Sequence, residues 1–350
     1  MLVLREADIR PILYNLTLDQ CLHLLRTLWG SLANYSHYSG SAADGQAQVI
    51  YQPMREVIRT ARQNTTLFMP ASDTNTTTGI KIVTLPGGGG APRGAINIFS
   101  PDGTLEGVLN AELVTAFRTA LASMIPFSRH KLPGETHVLV FGAGKQAEWH
   151  IRLALLLSGS SVTHVTVINR GRLNLENLKS DLDAELTSQH PDVVFEYISR
   201  DVDGFEDRLR ASVRDADAIF CCTPSTEPLF PHSYLRQSRH QRNPRLITLI
   251  GSYRPDMKEV DSDTLLSGGK ILVDSKEACL EEAGELIAAG VGKDQLVEIG
   301  ELMNDPLAHV PGHLDTVFKC VGMGIMDIVI GRELLHLAKG IRVGISIDGF

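Results

Sequence analysis

Leucines at positions 22, 24, 25, 28 and 32 recur at helical spacing and predict an amphipathic helix within the first 40 residues. Beyond it the rhythm shortens. IKIVTLP, AINIFSP and GVLNAE predict strands broken by proline and glycine, and LPGGGGAPRG at 85–94 predicts a mobile surface loop, because such a run holds no regular structure. A helix from about Leu113 to Phe127 leads to Lys131-Leu132-Pro133-Gly134, a predicted hinge or domain boundary. From His137 apolar runs alternate with helical patterns: HVLVFG, a helix near 145–158, HVTVIN, a helix near 174–188, VVFEYI, a helix near 204–214, DAIFCCTP, LITLIGS and KILVDS. Continuous β-branched runs separated by amphipathic helices predict a parallel, doubly wound α/β sheet. The last long segment, TVFKCVGMGIMDIVIGRELLHLAKG, predicts one helix returning to the first domain.

At 350 residues the chain has room for two domains, and 43% hydrophobic with 21% charged residues is an ordinary globular composition. The net charge of −8 speaks against a nucleic-acid surface, which needs clustered lysine and arginine. Five scattered cysteines without CxxC spacing read as reduced thiols. Arg5, Glu6 and Asp8 interrupt any signal-like apolar run, and no stretch is long enough to span a membrane, so a cytoplasmic location is expected. His309 and His313 are four apart, but Pro311-Gly312 between them forbids the helix that would bring them to one face. No metal site is expected.

The most chemically specific stretch is Gly142-Ala143-Gly144-Lys145-Gln146-Ala147, at the junction of a predicted strand and helix. Glycines there let backbone approach a pyrophosphate, and the helix start offers N–H groups and the positive end of its dipole. At the end of the next strand an NAD site would carry a carboxylate for the ribose hydroxyls. This chain has Asn169, Arg170, Gly171 and Arg172 instead, donors suited to a 2′-phosphate, so NADP(H) is expected ahead of NAD(H). Cys222, Thr223 and Pro224 end a later strand, where such sheets receive ligands, and are expected to border the cofactor.

Further stretches resemble one family: QPMR at 52–55, MP at 69–70, IKIVT at 80–84, TAFRTA at 115–120, GAGKQA at 142–147, TEP at 226–228, IGSYRPD at 250–256, VDSKEA at 273–278 and FKCVG at 318–322. Taken together and in order, they resemble the ornithine cyclodeaminase/mu-crystallin family over nearly the whole chain. The resemblance implies a Rossmann domain at 131–317 inserted in a discontinuous α+β substrate-binding and dimerisation domain, 1–130 and 318–350, of a homodimer. It also implies NAD(P)(H)-dependent chemistry at a carbon–nitrogen centre beside a carboxylate. Arg55 and Arg118 match positions that grip the substrate carboxylate, and Lys81 matches a site lysine beside them. Arg118, Gly251 and Cys320 fall at positions assigned to the cofactor.

Two positions decide the branch. Where cyclodeaminases carry a catalytic aspartate, this chain has Tyr253, whose phenol cannot serve as that carboxylate, so ornithine cyclisation is not expected. Glu277 matches an acid of the mu-crystallin branch, and Asn169-Arg170 resembles its NADP site. The expectation is an NADPH-dependent reductase of a carboxylate-bearing imine, with Lys81, Glu277 and Tyr253 as catalytic candidates. An amino-acid dehydrogenase of the alanine dehydrogenase type is the enzymatic alternative. An NADPH-bound ligand-binding protein with little turnover is the non-enzymatic one.

Overall fold

The computed structural model describes residues 1–40, 48–130, 132–183, 186–236, 244–303 and 314–349. The chain divides into two compact units, 1–119 with 322–350, and 120–321.

The first unit opens with β1 (Leu2–Leu4), α1 (Glu6–Tyr14) and α2 (Leu18–Gly40), the last burying Leu24, Leu25, Leu28 and Leu32 as their spacing requires. A sheet follows: β2 (Ile50–Tyr51), β3 (Glu56–Arg59), β4 (Thr65–Asp73), β5 (Thr77–Leu85), β6 (Arg93–Phe99) and β7 (Leu105–Asn110). The exposed glycine-rich segment is the β5–β6 connection. Next comes α3 (Ala111–Arg129), which spans the division at 119/120.

The second unit contains β8 (Thr136–Phe141), α4 (Lys145–Ser158), β9 (Val162–Asn169), α5 (Arg172–Asp183), α6 (Leu186–Gln189), β10 (Val194–Ser199), α7 (Phe205–Asp215) and β11 (Ala218–Cys221). It continues through α8 (Ser233–Arg236), β12 (Leu246–Leu249), α9 (Ser262–Leu265), β13 (Ile271–Val273), α10 (Lys276–Glu282), α11 (Gly284–Ala288), β14 (Leu296–Glu298) and β15 (Thr316–Lys319). The strand order is β10-β9-β8-β11-β12-β15-β13-β14, and every recorded pairing is parallel. β8, β11 and β12 are buried almost throughout, which is why their sequences read as unbroken apolar runs. Strand order reverses between β8 and β11, so their carboxyl ends flank the crevice where such sheets take ligands.

The chain returns to the first unit as α12 (Gly324–Ile341) and β16 (Ile345–Ser346), which pairs with β1. Here the single long helix expected from 316 onward is corrected. Thr316–Lys319 is a fully buried strand between β12 and β13, and the helix begins only at Gly324.

Candidate functional site

In the first unit, Lys81 on β5 lies opposite Met69 and Ile96 and is 2% exposed. Its Nζ donates to Asp327 Oδ2 at 3.0 Å and to Thr115 Oγ1 at 3.2 Å. Arg118, one helical turn beyond Thr115, donates from Nε to Asp327 Oδ1 at 2.9 Å. Arg55 reaches the same region through an Nη2 contact to the Gly322 carbonyl at 3.4 Å. Burial drives the Lys81 ammonium down to about 8, Arg118 and Arg55 push it the same way, and Asp327 opposes them. A lysine that changes charge near neutrality, held by packed neighbours and lined by guanidinium groups, can give or take a proton beside a bound anion.

In the second unit a cavity of about 920 Å³ opens at the ends of β8, β9 and β11, large enough for a dinucleotide-sized ligand. Gly142, Ala143 and Gly144 form one wall, Asn169 and Arg170 a second, and Cys222, Thr223 and Pro224 a third. Gly142 has φ +111°, and a Cβ there would lie 2.8 Å from the Cys222 carbonyl oxygen, so no side chain fits between the two turns. At Gly144 a Cβ would meet nothing within 4 Å, which leaves open space before α4, whose first turn has no side-chain cap. Uncapped N–H groups facing an open cradle fit a pyrophosphate. The far wall carries two exposed arginines, Arg170 and Arg200, at the ends of β9 and β10. Burial pushes the Cys222 thiol well above its usual value, so it lines this wall as a neutral group.

The other expected residues do not line this cavity. Lys145 pairs with Glu148 at 2.8 Å, and Gln146 gives its carbonyl to His150 Nδ1 at 2.7 Å. Arg172 faces Asp201 at 3.6 Å, both side chains 59% exposed. Gly251 packs on Thr223, and the Cys320 thiol donates to Asp274 Oδ2 at 3.2 Å. Tyr253, 36% exposed, lies beneath the Arg254 guanidinium, and Glu277 is exposed in the first turn of α10. His309 and His313 fall outside the described residues, among which no cluster of three or more metal-binding side chains occurs.

Three features escaped the sequence reading. Asp327 is the counter-ion of Lys81 and Arg118, and its signal was a lone carboxylate inside MGIMDIVI, since a charge in an apolar helix is buried only when paired. Arg200 joins the cavity because β10 runs beside β9, with the Arg200 N–H donating to the Asn169 carbonyl at 3.1 Å. Glu259, bonded to the residues that follow β11 and β12, and the pair of Lys319 on β15 with Glu285 on α11 lie buried.

The ornithine cyclodeaminase/mu-crystallin family profile matches residues 37–339. The chain belongs to this family. Ketimine reductase mu-crystallin of Mus musculus is 29% identical over 326 residues, 88% of this chain and 90% of that protein. Delta(1)-pyrroline-2-carboxylate reductase of Paracoccus denitrificans is 30% identical over 257 residues, 71% and 74% of the respective chains. Among solved structures, the Thermococcus litoralis Delta(1)-pyrroline-2-carboxylate reductase in complex with NADH and L-proline superposes with a TM-score of 0.79 at 19% identity, covering 99% of this chain and 100% of that one. At that identity the match establishes the fold.

Proposed function

We propose that this family member is an NADPH-dependent reductase of a carboxylate-bearing imine, acting as a homodimer in the cytoplasm. The observation that carries the reading is Lys81, buried beside Arg118 with its ammonium held at about 8. Arg55 and Arg118 bind the substrate carboxylate, since a buried carboxylate is best held by guanidinium forks. Lys81 gives a proton to the imine nitrogen, turning C=N into an iminium that accepts hydride far more readily. Gly142, Ala143, Gly144, Asn169 and Arg170 would hold the dinucleotide, whose reduced nicotinamide would supply the hydride that gives a secondary or primary amine. Lys81 is favoured over Tyr253 and Glu277 as donor because those two are exposed while Lys81 is enclosed by the anion-binding groups. The family names among the relatives support imine reduction, and Tyr253 in place of a carboxylate argues against cyclodeamination.

The second copy would sit on the outer face of the first-unit sheet. There Phe68 lies opposite Ile82, and Ile80 lies between Pro70 and Asn97, all half-buried, while the inner face bearing Lys81 packs under α12. Sedimentation at micromolar concentration tests the dimer. The activity is tested by following NADPH absorbance with a preformed cyclic ketimine carboxylate and, separately, with pyruvate plus ammonia. Turnover of the ketimine supports the reading, turnover of the keto acid alone favours an amino-acid dehydrogenase, and tight NADPH binding without turnover favours a ligand-binding protein.

NADPH preference rests on Arg170 and Arg200, with Asn169 between the strand end and the turn. Arg170→Ala is expected to weaken NADPH binding by about 10- to 100-fold, as loss of a charge-assisted bond does, and NADH binding by less than about threefold. Equal losses for the two nucleotides would reject the assignment.

A further inference from the structure

β11 and β12 run side by side, Cys221 opposite Leu249, and each continues into a loop at the ligand-binding rim. The first loop, Cys222 to Ser225, forms one wall of the cavity; the second holds Gly251 and Ser252. Between them lies Glu259, fully buried. Its Oε1 accepts the Thr223 N–H at 2.8 Å and its Oε2 the Gly251 N–H at 2.7 Å. Each oxygen therefore holds one loop. The loops are in direct contact, since a Cβ on Gly251 would fall 2.0 Å from the Thr223 carbonyl oxygen. The main chain around Glu259 ties the same wall: Lys258 N–H donates to the Ser225 carbonyl and Leu229 N–H to the Glu259 carbonyl, both at 2.8 Å. Ser225 and Leu229 both line the cavity.

We propose that Glu259 is a positioning residue for the dinucleotide: its carboxylate clasps the loops after β11 and β12 into the wall that receives the cofactor. This rests on the reading of the cavity as a nicotinamide-nucleotide site. Two converging N–H donors need two acceptor oxygens, and only an ionised carboxylate offers both. A neutral acid or an amide turns one position into a donor and releases one loop. The groups facing Glu259 are Lys319 from β15, Glu285 from α11, and Cys221 and Cys222 from the β11 end. Lys319 favours the carboxylate, as do the two backbone N–H groups, while Glu285 disfavours it. Burial outweighs them and lifts the Glu259 carboxyl to about 7. The clasp is thus complete above neutrality and half-open below it, and cofactor binding releases a proton in between.

The test titrates NADH and NADPH into the full-length wild type, Glu259→Gln and Glu259→Asp by nucleotide fluorescence from about pH 5.5 to about pH 8.5. NADH is essential because a 2′-phosphate itself titrates near 6. Wild-type NADH affinity is expected to rise about tenfold from the acid to the alkaline end. Glu259→Gln should stay flat at the acid-end value, and Glu259→Asp should regain a pH dependence. In turnover, Glu259→Gln should raise the KM for NADPH by a similar factor with kcat changed less than about threefold. Wild-type-like affinity and profile in Glu259→Gln would overturn the proposal. A flat wild-type NADH profile would overturn the pH coupling, and wild-type NADH affinity in Glu259→Ala would overturn the clasp even if Glu259→Gln fails to fold. A wild type that binds neither nucleotide at any pH removes the underlying reading instead, and the clasp with it.

Discussion

Lys81→Met is expected to lower kcat for imine reduction by about 10²- to 10⁴-fold, the usual loss when a general acid is removed, while NADPH affinity stays within about twofold. The separation follows from the fold: Lys81 belongs to the unit made of 1–119 and 322–350, and among the described residues the cavity lining belongs to the other. In the wild type, reduction should slow as pH rises through about 8, because the proposed donor is the ammonium. Amine oxidation should accelerate over the same range, since it needs the free amine to take the proton. A bound carboxylate stabilises the ammonium and moves both midpoints upward. Full activity in Lys81→Met, or a rate unchanged between about pH 6.5 and about pH 9.5, would sink the assignment.

The same lysine affects stability. Its folded value of about 8 lies below the ordinary 10.5, so between these the unfolded chain binds more protons than the folded one. The Lys81 contribution to unfolding free energy therefore rises with pH across that window, and is least favourable below it. Burying this basic group costs the fold something at neutral pH, as burial of a charge does.

How much of this was legible from residues alone depended on how each strand is covered. The parallel strands of the second unit are buried on both faces, so HVLVF and HVTVIN announce themselves as apolar runs. β4 was silent because its TTLFMPASD sequence contains Pro70, which usually demotes a strand. The structure accommodates it: β3 pairs with Thr65 to Phe68 and β2 with Ser72 and Asp73, so on that side Pro70 falls in the gap where no N–H is needed. β3 is exposed at every position and leaves no amphipathic trace. TVFK merged with the apolar helix after it because a short buried strand and a buried helix turn share one hydrophobic signature. Arg55, Lys81 and Arg118, scattered over 64 positions of the chain, became a group only through the family resemblance. Asp327 and Glu259 stayed hidden because a buried carboxylate is recognised by its partners, and those partners are remote in sequence or are backbone N–H groups.

Asp327→Ala should be the most damaging single change to the first unit, at about 3–5 kcal/mol of unfolding free energy, because it strips the carboxylate from two buried cations at once. Lys81 can respond by giving up its proton more readily, since the Asp327 attraction that opposed the effect of burial is gone. Arg118 has no such escape, as a guanidinium stays charged throughout the accessible range. Most of the loss should therefore persist at alkaline pH, where a cost confined to Lys81 would fade. Lys81→Met in the same background should recover part of it, giving a coupling above about 1 kcal/mol in a double-mutant cycle read by urea unfolding. Added formate or acetate should restore stability to Asp327→Ala by taking the vacated place, and should do far less for the wild type. A loss under about 1 kcal/mol, or equal stabilisation of both proteins by added carboxylate, would show that Asp327 is not the counter-ion on which the Lys81 and Arg118 geometry depends.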